Sequence, residues 1–202
     1  MKRLPDQTQL KTKNFWNENA KKFGRDFNGY STWSTVRRFQ ALANKVNKNT
    51  RVAELFSGAG NFELYYGPFN FYLACDFAEV PLSYTRADRV VSYDILKNPE
   101  VALNACKEEN IDWIVLCGGF MMRHITEKIN PTDFMIKCLA VAKRGVIANF
   151  VSDHIEDWEP HMYAMHPLDI LKPLISYRPS LDQSYLPHEF LVSIEHPRRD
   201  WK

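Results

Sequence analysis

The sequence lacks the segments that would place it in a membrane or outside the cell. No apolar run approaches the roughly 18 residues that a membrane-spanning helix needs. The first 13 residues also contain no apolar segment of the signal-peptide kind. We therefore expect a soluble protein of the cytoplasm that has no membrane partner.

Paired cysteines are missing as well. The four cysteines, Cys75, Cys106, Cys117 and Cys138, lie far apart, form no C-x-x-C pair and have no histidine close in sequence. Three of them fall inside apolar stretches, where cysteine behaves as a small apolar residue. The sequence therefore predicts neither a disulfide framework nor a metal site.

Two common nucleotide-binding motifs are absent. The chain has no G-x-x-x-x-G-K-[ST] segment, which excludes a P-loop. It has a Gly58-Ala59-Gly60 turn, but Glu63 stands where a dinucleotide fingerprint has its third glycine or alanine. NAD and FAD are therefore disfavoured as cofactors.

What the chain does contain is typical of one globular domain. It has 202 residues, of which 45% are hydrophobic and 25% charged. The first 50 residues hold 11 of the 26 Lys and Arg but three of the 24 acids. These basic residues are dispersed among apolar ones, which favours the outer faces of helices over a nucleic-acid patch.

The order of elements predicts a three-layer α/β sandwich. Two amphipathic helices, with apolar residues at three- and four-residue steps, precede the first strand. Strands and helices then alternate, which calls for a doubly wound, mostly parallel sheet. The tail reads as two strands joined by a short link, so the sheet should end in an antiparallel strand. The predicted strands are Arg51–Phe56, Phe71–Cys75, Arg89–Tyr93, Asp112–Cys117, Gly145–Val151, Lys172–Tyr177 and Glu189–His196, with helices at Pro99–Asn110 and Pro131–Lys143.

Acids stand at the ends of three successive predicted strands. Glu54 enters the glycine turn, Asp76 closes the second strand, and Asp94 with Ile95 follows the third. Carboxylates at this edge of an open sheet can accept hydrogen bonds from ribose hydroxyls and an adenine amine. Each alone has a structural alternative, as a helix cap or an ion-pair partner, but together they predict a nucleoside site.

The segment from Val52 to Phe62, VAELFSGAGNF, resembles the first motif of class I S-adenosylmethionine-dependent methyltransferases. The resemblance implies a Rossmann-like fold with seven strands and S-adenosylmethionine as cofactor. It makes Asp76 the ribose-binding acid and Asp94-Ile95 the adenine-contacting pair. It also implies a helical lid over residues 1–49, not an independent domain, on a catalytic core at 50–202. The implied cofactor contacts are Glu54, Phe56, Ser57, Gly58, Gly60, Asp76, Phe77, Asp94, Ile95, Cys117 and Gly118.

The sequence departs from the family pattern at Phe56, which occupies the position of the usual first glycine and should leave the turn less open. ELFSGAGNF is also similar to the opening motif of DNA cytosine-5 methyltransferases, but their Pro-Cys pair is absent. No N-P-P-Y or D-P-P-Y tetrapeptide is present either. Nucleic acid is therefore the less favoured substrate.

Residues for the methyl acceptor are expected after the fourth and fifth strands and in the N-terminal helices. His154, His161 and His166 are the candidate general bases, of which one or none acts. His124 fits a helix cap or packing better than a base. The acceptor or lid set is Trp16, Tyr30, His124, Asn149 and Trp158.

The sequence thus predicts an enzyme that methylates oxygen or nitrogen of a small or medium-sized acceptor. Two alternatives stay open at this point. One is an RNA or nucleoprotein methyltransferase that grips phosphates with its basic N-terminus. The other is a methyltransferase-like domain that binds a partner without catalysis.

Overall fold

The computed structural model describes residues 7–26, 32–154 and 161–197, and within these ranges eight parallel and antiparallel strands form one continuous sheet. The strands are β1 (Arg51–Leu55), β2 (Phe71–Asp76), β3 (Arg89–Ser92), β4 (Trp113–Leu116), β5 (Gly145–Ser152), β6 (Ala164–Met165), β7 (Ser180–Asp182) and β8 (Glu189–Glu195). Their order is β3-β2-β1-β4-β5-β8-β7, with the two-residue β6 paired to β5 beside this path.

The predicted fold class is confirmed. β1 to β5 are parallel, and β8 runs antiparallel to both β5 and β7. The helices are α1 (Gln7–Phe23), α2 (Thr32–Ala43), α3 (Asn61–Tyr66), α4 (Glu79–Leu82), α5 (Glu100–Glu108), α6 (Arg123–Thr126), α7 (Pro131–Val141) and α8 (Pro167–Leu171). The sheet separates two apolar cores, and this separation makes the three layers.

Local sequence explains where α7 begins. The Asn130 side chain accepts hydrogen bonds from the backbone N–H groups of Thr132 and Asp133, and Pro131 fills the first helical position. Asparagine caps and first-turn prolines are favoured because the first N–H groups of a helix have no intrahelical acceptor. The predicted helix start at this position is therefore confirmed.

The strand predicted at Lys172–Tyr177 is wrong. Residues Ile175–Tyr177 form a short 3₁₀ helix, and the partner of β8 is Ser180–Asp182 instead. The Leu174 N–H donates to Leu171 and the Tyr177 N–H to Leu174, which are helical i to i−3 bonds. Pro173 has no N–H to donate to a strand ladder, which disfavours a regular strand in this segment.

The N-terminal helices pack against helices that follow the first two strands, α1 against α4 and α2 against α3. The Asn17 side chain accepts the Val80 N–H at 3.1 Å, and the Tyr84 hydroxyl donates to the Ala20 carbonyl at 3.3 Å. These bonds dock α1 onto α4 and the loop after it. None of the helices in the described ranges combines the length and apolar character needed to cross a bilayer.

Candidate functional site

A cleft of about 390 Å³ opens at the carboxyl ends of β1, β2 and β4. Ligands bind at this edge of open parallel sheets because the strand ends and the following loops diverge there. The floor comes from the turn after β1, and α1 and α2 contribute Trp16, Arg38 and Phe39 to the walls. The N-terminal helices thus reach the cleft as the lid prediction requires, although their movement stays a prediction.

The turn after β1 uses the left-handed backbone region three times. Phe56, Gly58 and Gly60 have φ angles of 87°, 53° and 70°. Glycine adopts such angles freely, whereas a larger residue is strained by about 1–3 kcal/mol. Phe56 therefore keeps a glycine-like backbone, and the turn retains its shape despite the side chain.

The Phe56 ring is accommodated by a glycine on the neighbouring loop. It packs edge-on against Phe120, with ring centroids 5.7 Å apart. A Cβ atom built on Gly119 would lie 2.2 Å from this ring, so residue 119 must be glycine while Phe56 is present. The departure at position 56 is thus compensated 63 residues later in the chain.

Asp76 ties the glycine turn to the end of β2. Its Oδ2 accepts the Gly58 N–H at 2.8 Å, and its Oδ1 accepts the Ala78 N–H at 2.9 Å. Burial raises the pKa of this carboxyl, while the backbone hydrogen bonds from Ala78, Gly58 and Phe77 oppose the rise. A carboxylate has about four acceptor positions, so Asp76 can still accept bonds from a ligand in the cleft.

Glu54 lies on β1 beneath the same turn and also lines the cleft. The Tyr72 hydroxyl donates a hydrogen bond to its carboxylate. Burial raises the pKa of Glu54 to about 8; the bond from Tyr72 opposes this rise, and the charge of Asp76 adds to it. Two acids therefore share one buried corner of the cleft, and one of them holds a proton at neutral pH.

Ser57 supplies an observation that points to a ligand. It lines the cleft, and its hydroxyl is buried with no hydrogen-bond partner among the described residues. Buried polar groups are nearly always paired, so an unpaired hydroxyl facing a cleft fits a site for a polar ligand. Gly118, with φ of 81°, lines the cleft opposite and leaves open space where a Cβ would be.

Asp94 and Ile95 do not lie in the cleft wall. Asp94 accepts the Leu96 N–H at 3.0 Å and pairs with Lys97 at 2.9 Å, while Ile95 is buried in the core. His124 lines the cleft; burial lowers its pKa, and the charge of Asp94 opposes that change. The adenine contact expected of Asp94-Ile95 stays a prediction.

A buried polar network borders the cleft on the side of α2 and β8. Arg38 donates through Nε to Glu189 Oε2 at 2.8 Å and through a second N–H to Oε1. Asn149 and Tyr185 also donate to Oε2, at 3.1 Å and 3.2 Å. The Asn149 amide oxygen in turn accepts the Gly118 N–H at 2.7 Å. The network therefore links the N-terminal helix to the loop after β4.

Sequence reasoning found Asn149 but missed Arg38, Glu189 and Tyr185. The local signal is an acid at the start of strand β8, directly before the apolar residues Phe190, Leu191 and Val192. Nothing near Arg38 identifies its partner, because 151 residues separate the two charges. Such a pair is visible only after the chain has folded.

Of the remaining residues predicted to contact the cofactor or the acceptor, some line the cleft and others do not. Trp16, Phe77, Cys117 and His124 line the cleft. Burial raises the pKa of the Cys117 thiol, which therefore stays protonated and a poor nucleophile. Gly60 lies behind the turn, where an added Cβ would meet Thr85.

The three candidate bases do not line the cleft. The described residues of its wall do not include His154, His161 or His166, which lie on the segments that follow β5 and precede α8. Tyr30 and Trp158 lie outside the described residues. The acceptor roles of these five residues stay predictions.

No protein-family model and no curated protein sequence matches this chain. Solved structures do. The chain is similar to magnesium protoporphyrin IX methyltransferase from Synechocystis PCC 6803 with bound SAH, at a TM-score of 0.63 and 11% identity, over 95% of this chain and 100% of the other. It is similar to a DhpI complex with SAM and HEP, at a TM-score of 0.64 and 14% identity, over 95% and 97%.

A third similar structure is a SAM-dependent methyltransferase from Thermotoga maritima described as a possible histamine N-methyltransferase. The TM-score is 0.56 at 12% identity, over 87% of this chain and 98% of the other. The strand order, the antiparallel β8 and these likenesses agree with the expectation drawn from the first motif. This chain has the fold of the class I S-adenosylmethionine-dependent methyltransferases.

Proposed function

We propose that the protein is an S-adenosylmethionine-dependent methyltransferase. The observation that carries the proposal is the corner of the cleft where Asp76 holds the glycine turn beside the buried Glu54. The unpaired Ser57 hydroxyl adds a polar group that a nucleoside could satisfy. Similar structures contain bound SAM or SAH, which supports the same cofactor here.

The residues present fit this cofactor. Asp76 would accept hydrogen bonds from ribose hydroxyls, and the Ser57 hydroxyl and the backbone of Gly58 and Gly118 would contact the remaining polar groups. The cofactor supplies an electrophilic methyl group when bound. The protein's own contribution is to orient the two reactants and exclude water, which Trp16 and Phe39 on the cleft wall support.

The acceptor is a small or medium-sized molecule that is methylated on oxygen or nitrogen. A cleft of about 390 Å³ has the size of a small-molecule site. If a proton must leave the acceptor, His124 would accept it, because among the described residues it is the histidine that lines the cleft. Its lowered pKa keeps the imidazole neutral and able to accept a proton. The cytoplasmic location and the lid role of residues 1–49 belong to the same proposal.

Calorimetric titration with S-adenosylhomocysteine tests the cofactor assignment. Asp76→Ala should weaken binding by about 10- to 150-fold, because it removes about 1.5–3 kcal/mol of charge-assisted hydrogen bonding. Asp182→Ala is the matched control, since Asp182 also accepts a backbone N–H, from Ser184 at 2.8 Å, but lies away from the cleft.

Folding of both variants is checked by thermal unfolding before the titration. An Asp76→Ala protein that folds and binds as tightly as the control contradicts the assignment of Asp76. Failure of the unmodified protein to bind either S-adenosylmethionine or S-adenosylhomocysteine contradicts the proposed function itself.

A further inference from the structure

Three side chains with metal-binding groups meet at the end of β5, away from the cleft. Asp153, His154 and His166 each offer one ligand atom, and these atoms all lie within 4.8 Å of one another. The rings of His154 and His166 meet edge to face, with centroids 5.7 Å apart. The sequence predicted no metal site because its cysteines are scattered, and this cluster contains no cysteine.

Backbone pairing explains why these side chains converge. β5 and β6 are parallel, with Ser152 opposite Met165, and the Asp153 N–H donates to the Met165 carbonyl at 3.2 Å. Asp153 and His166 are the next residues in this register, and register partners in a sheet lie on the same face at about 4.8 Å. The turn after Ser152 then brings His154 to the same point.

The charges around the cluster favour a cation. Of the residues that the structure describes, no lysine or arginine forms an ion pair with Asp153, and His154 Nδ1 lies 3.9 Å from its carboxylate. Two imidazoles and a carboxylate form a ligand set that suits zinc and related divalent ions. Both Asp153 and His154 are exposed, so an ion can enter from solvent without unfolding.

His166 already has a structural role that a metal ion would change. Its Nδ1 accepts the Leu168 N–H at 3.2 Å and caps α8. If Nδ1 binds the ion, the cap is lost directly. If Nε2 binds, the imidazole proton must move to Nδ1, and that atom then can no longer accept the bond. In either case the Leu168 amide reports on metal binding.

We propose that Asp153, His154 and His166 bind one divalent transition-metal ion of the Zn²⁺ class, with water in the remaining coordination positions. The ion joins the end of β5 to the segment that carries β6. That segment is also bound to the loop after β4, since the Arg123 N–H donates to His161 at 2.9 Å and the Tyr163 N–H to Met121 at 2.9 Å. Because Met121 and Met122 line the cleft, the ion would stabilise one of its walls.

This assignment gives His154 and His166 a structural role in place of the base role considered for them. It does not depend on the proposed methyl transfer, because neither residue lines the cleft. The consequence is a stability effect: a metal that binds the folded state alone raises its unfolding temperature.

Zinc titration, followed by calorimetry and by thermal unfolding, tests the site on the full chain. We expect one Zn²⁺ per chain and a rise in the unfolding temperature. Asp153→Asn, His154→Gln and His166→Gln should each weaken binding by at least about tenfold. His161→Gln is the matched control, as an exposed histidine on the same segment, and should leave the affinity unchanged.

An amide spectrum with Zn²⁺ adds an independent measurement. The Leu168 resonance should shift in the unmodified protein and in His161→Gln, but not in His166→Gln. The proposal is overturned if no zinc binds, if His161→Gln weakens binding as much as the cluster variants, or if the combined His154→Gln/His166→Gln protein still binds zinc with unchanged affinity.

Discussion

The two sides of the cleft are built in different ways. On the turn side, Gly58 and Asp76 are 18 residues apart, as are Glu54 and Tyr72. On the helix side, the contacts of Glu189 reach Asn149 across 40 residues and Arg38 across 151. One side is thus formed by a single β1-α3-β2 unit, while the other joins an N-terminal helix to the last strand.

The bonding groups differ as well. Asp76 is held by backbone N–H groups, which survive most substitutions of the residues that carry them. Glu189 is held by the side chains of Arg38, Asn149 and Tyr185, and each of these bonds is lost with one substitution. We infer that a single substitution lowers the stability of the protein more on the helix side. On the turn side, a single substitution has its larger effect on cofactor affinity.

The largest effect is expected at Glu189. Glu189→Ala removes the carboxylate that pairs with the buried guanidinium of Arg38, which should lower the free energy of unfolding by about 3–5 kcal/mol. Urea denaturation measures the loss. Glu195→Ala, at the exposed end of the same strand, is the control and should cost little.

The double variant Arg38→Ala/Glu189→Ala sharpens this comparison. Removing both charges removes their mutual attraction only once, so the double variant should be more stable than the sum of the two single losses implies. Strictly additive losses would show that the two charges do not interact. That result would contradict the inference that the helix side depends on bonds between side chains.

A smaller effect per pH unit is expected at Glu54 on the turn side. The unfolded carboxyl loses its proton near pH 4.5, whereas the folded one keeps it up to about pH 8. Between these values the folded state binds more protons, so the free energy of unfolding should fall by about 1.4 kcal/mol per pH unit as the pH rises. Glu54→Gln should flatten this slope.

Urea titrations at several pH values between 5 and 8 measure the slope of Glu54→Gln against that of the unmodified protein. Glu63→Gln, on α3, serves as a control because its carboxyl is partly exposed. Parallel profiles for the unmodified protein and Glu54→Gln would mean that Glu54 is ionised throughout this range.

The smallest effect is expected at Lys13, which holds α1 to α4 through Glu79. The two side chains pair at 2.6 Å and are 31% and 62% exposed, so the pair contributes about 0.2–1 kcal/mol. Lys13→Ala should therefore speed chymotryptic cleavage near Phe15 and Trp16 by no more than about fivefold.

Lys21→Ala is the control for this experiment, because Lys21 pairs with Glu18 inside α1 itself. Its cleavage rate should equal that of the unmodified protein. If the two variants are cleaved equally fast, the pair between Lys13 and Glu79 does not hold the helix against the body of the protein.

Much of the turn side could be predicted from the sequence. The spacing of Glu54, the glycine turn and Asp76 identified a strand, a turn and a second strand, and the structure brings these residues to one corner. Local patterns suffice here because adjacent parallel strands place their carboxyl ends at the same edge of the sheet. The strand predicted at Lys172–Tyr177 was wrong because apolar character alone does not distinguish a strand from a short 3₁₀ helix.

The sequence by itself determined the alternation of strands and helices, the glycine turn and the acids at the strand ends. The tertiary structure alone decided that Arg38 meets Glu189, that Gly119 makes room for Phe56, and that His166 joins Asp153 and His154. The physical reason is that backbone conformation depends on neighbouring residues, whereas contacts between distant side chains depend on how the whole sheet is ordered. The partners of a buried charge are fixed only when that order is complete.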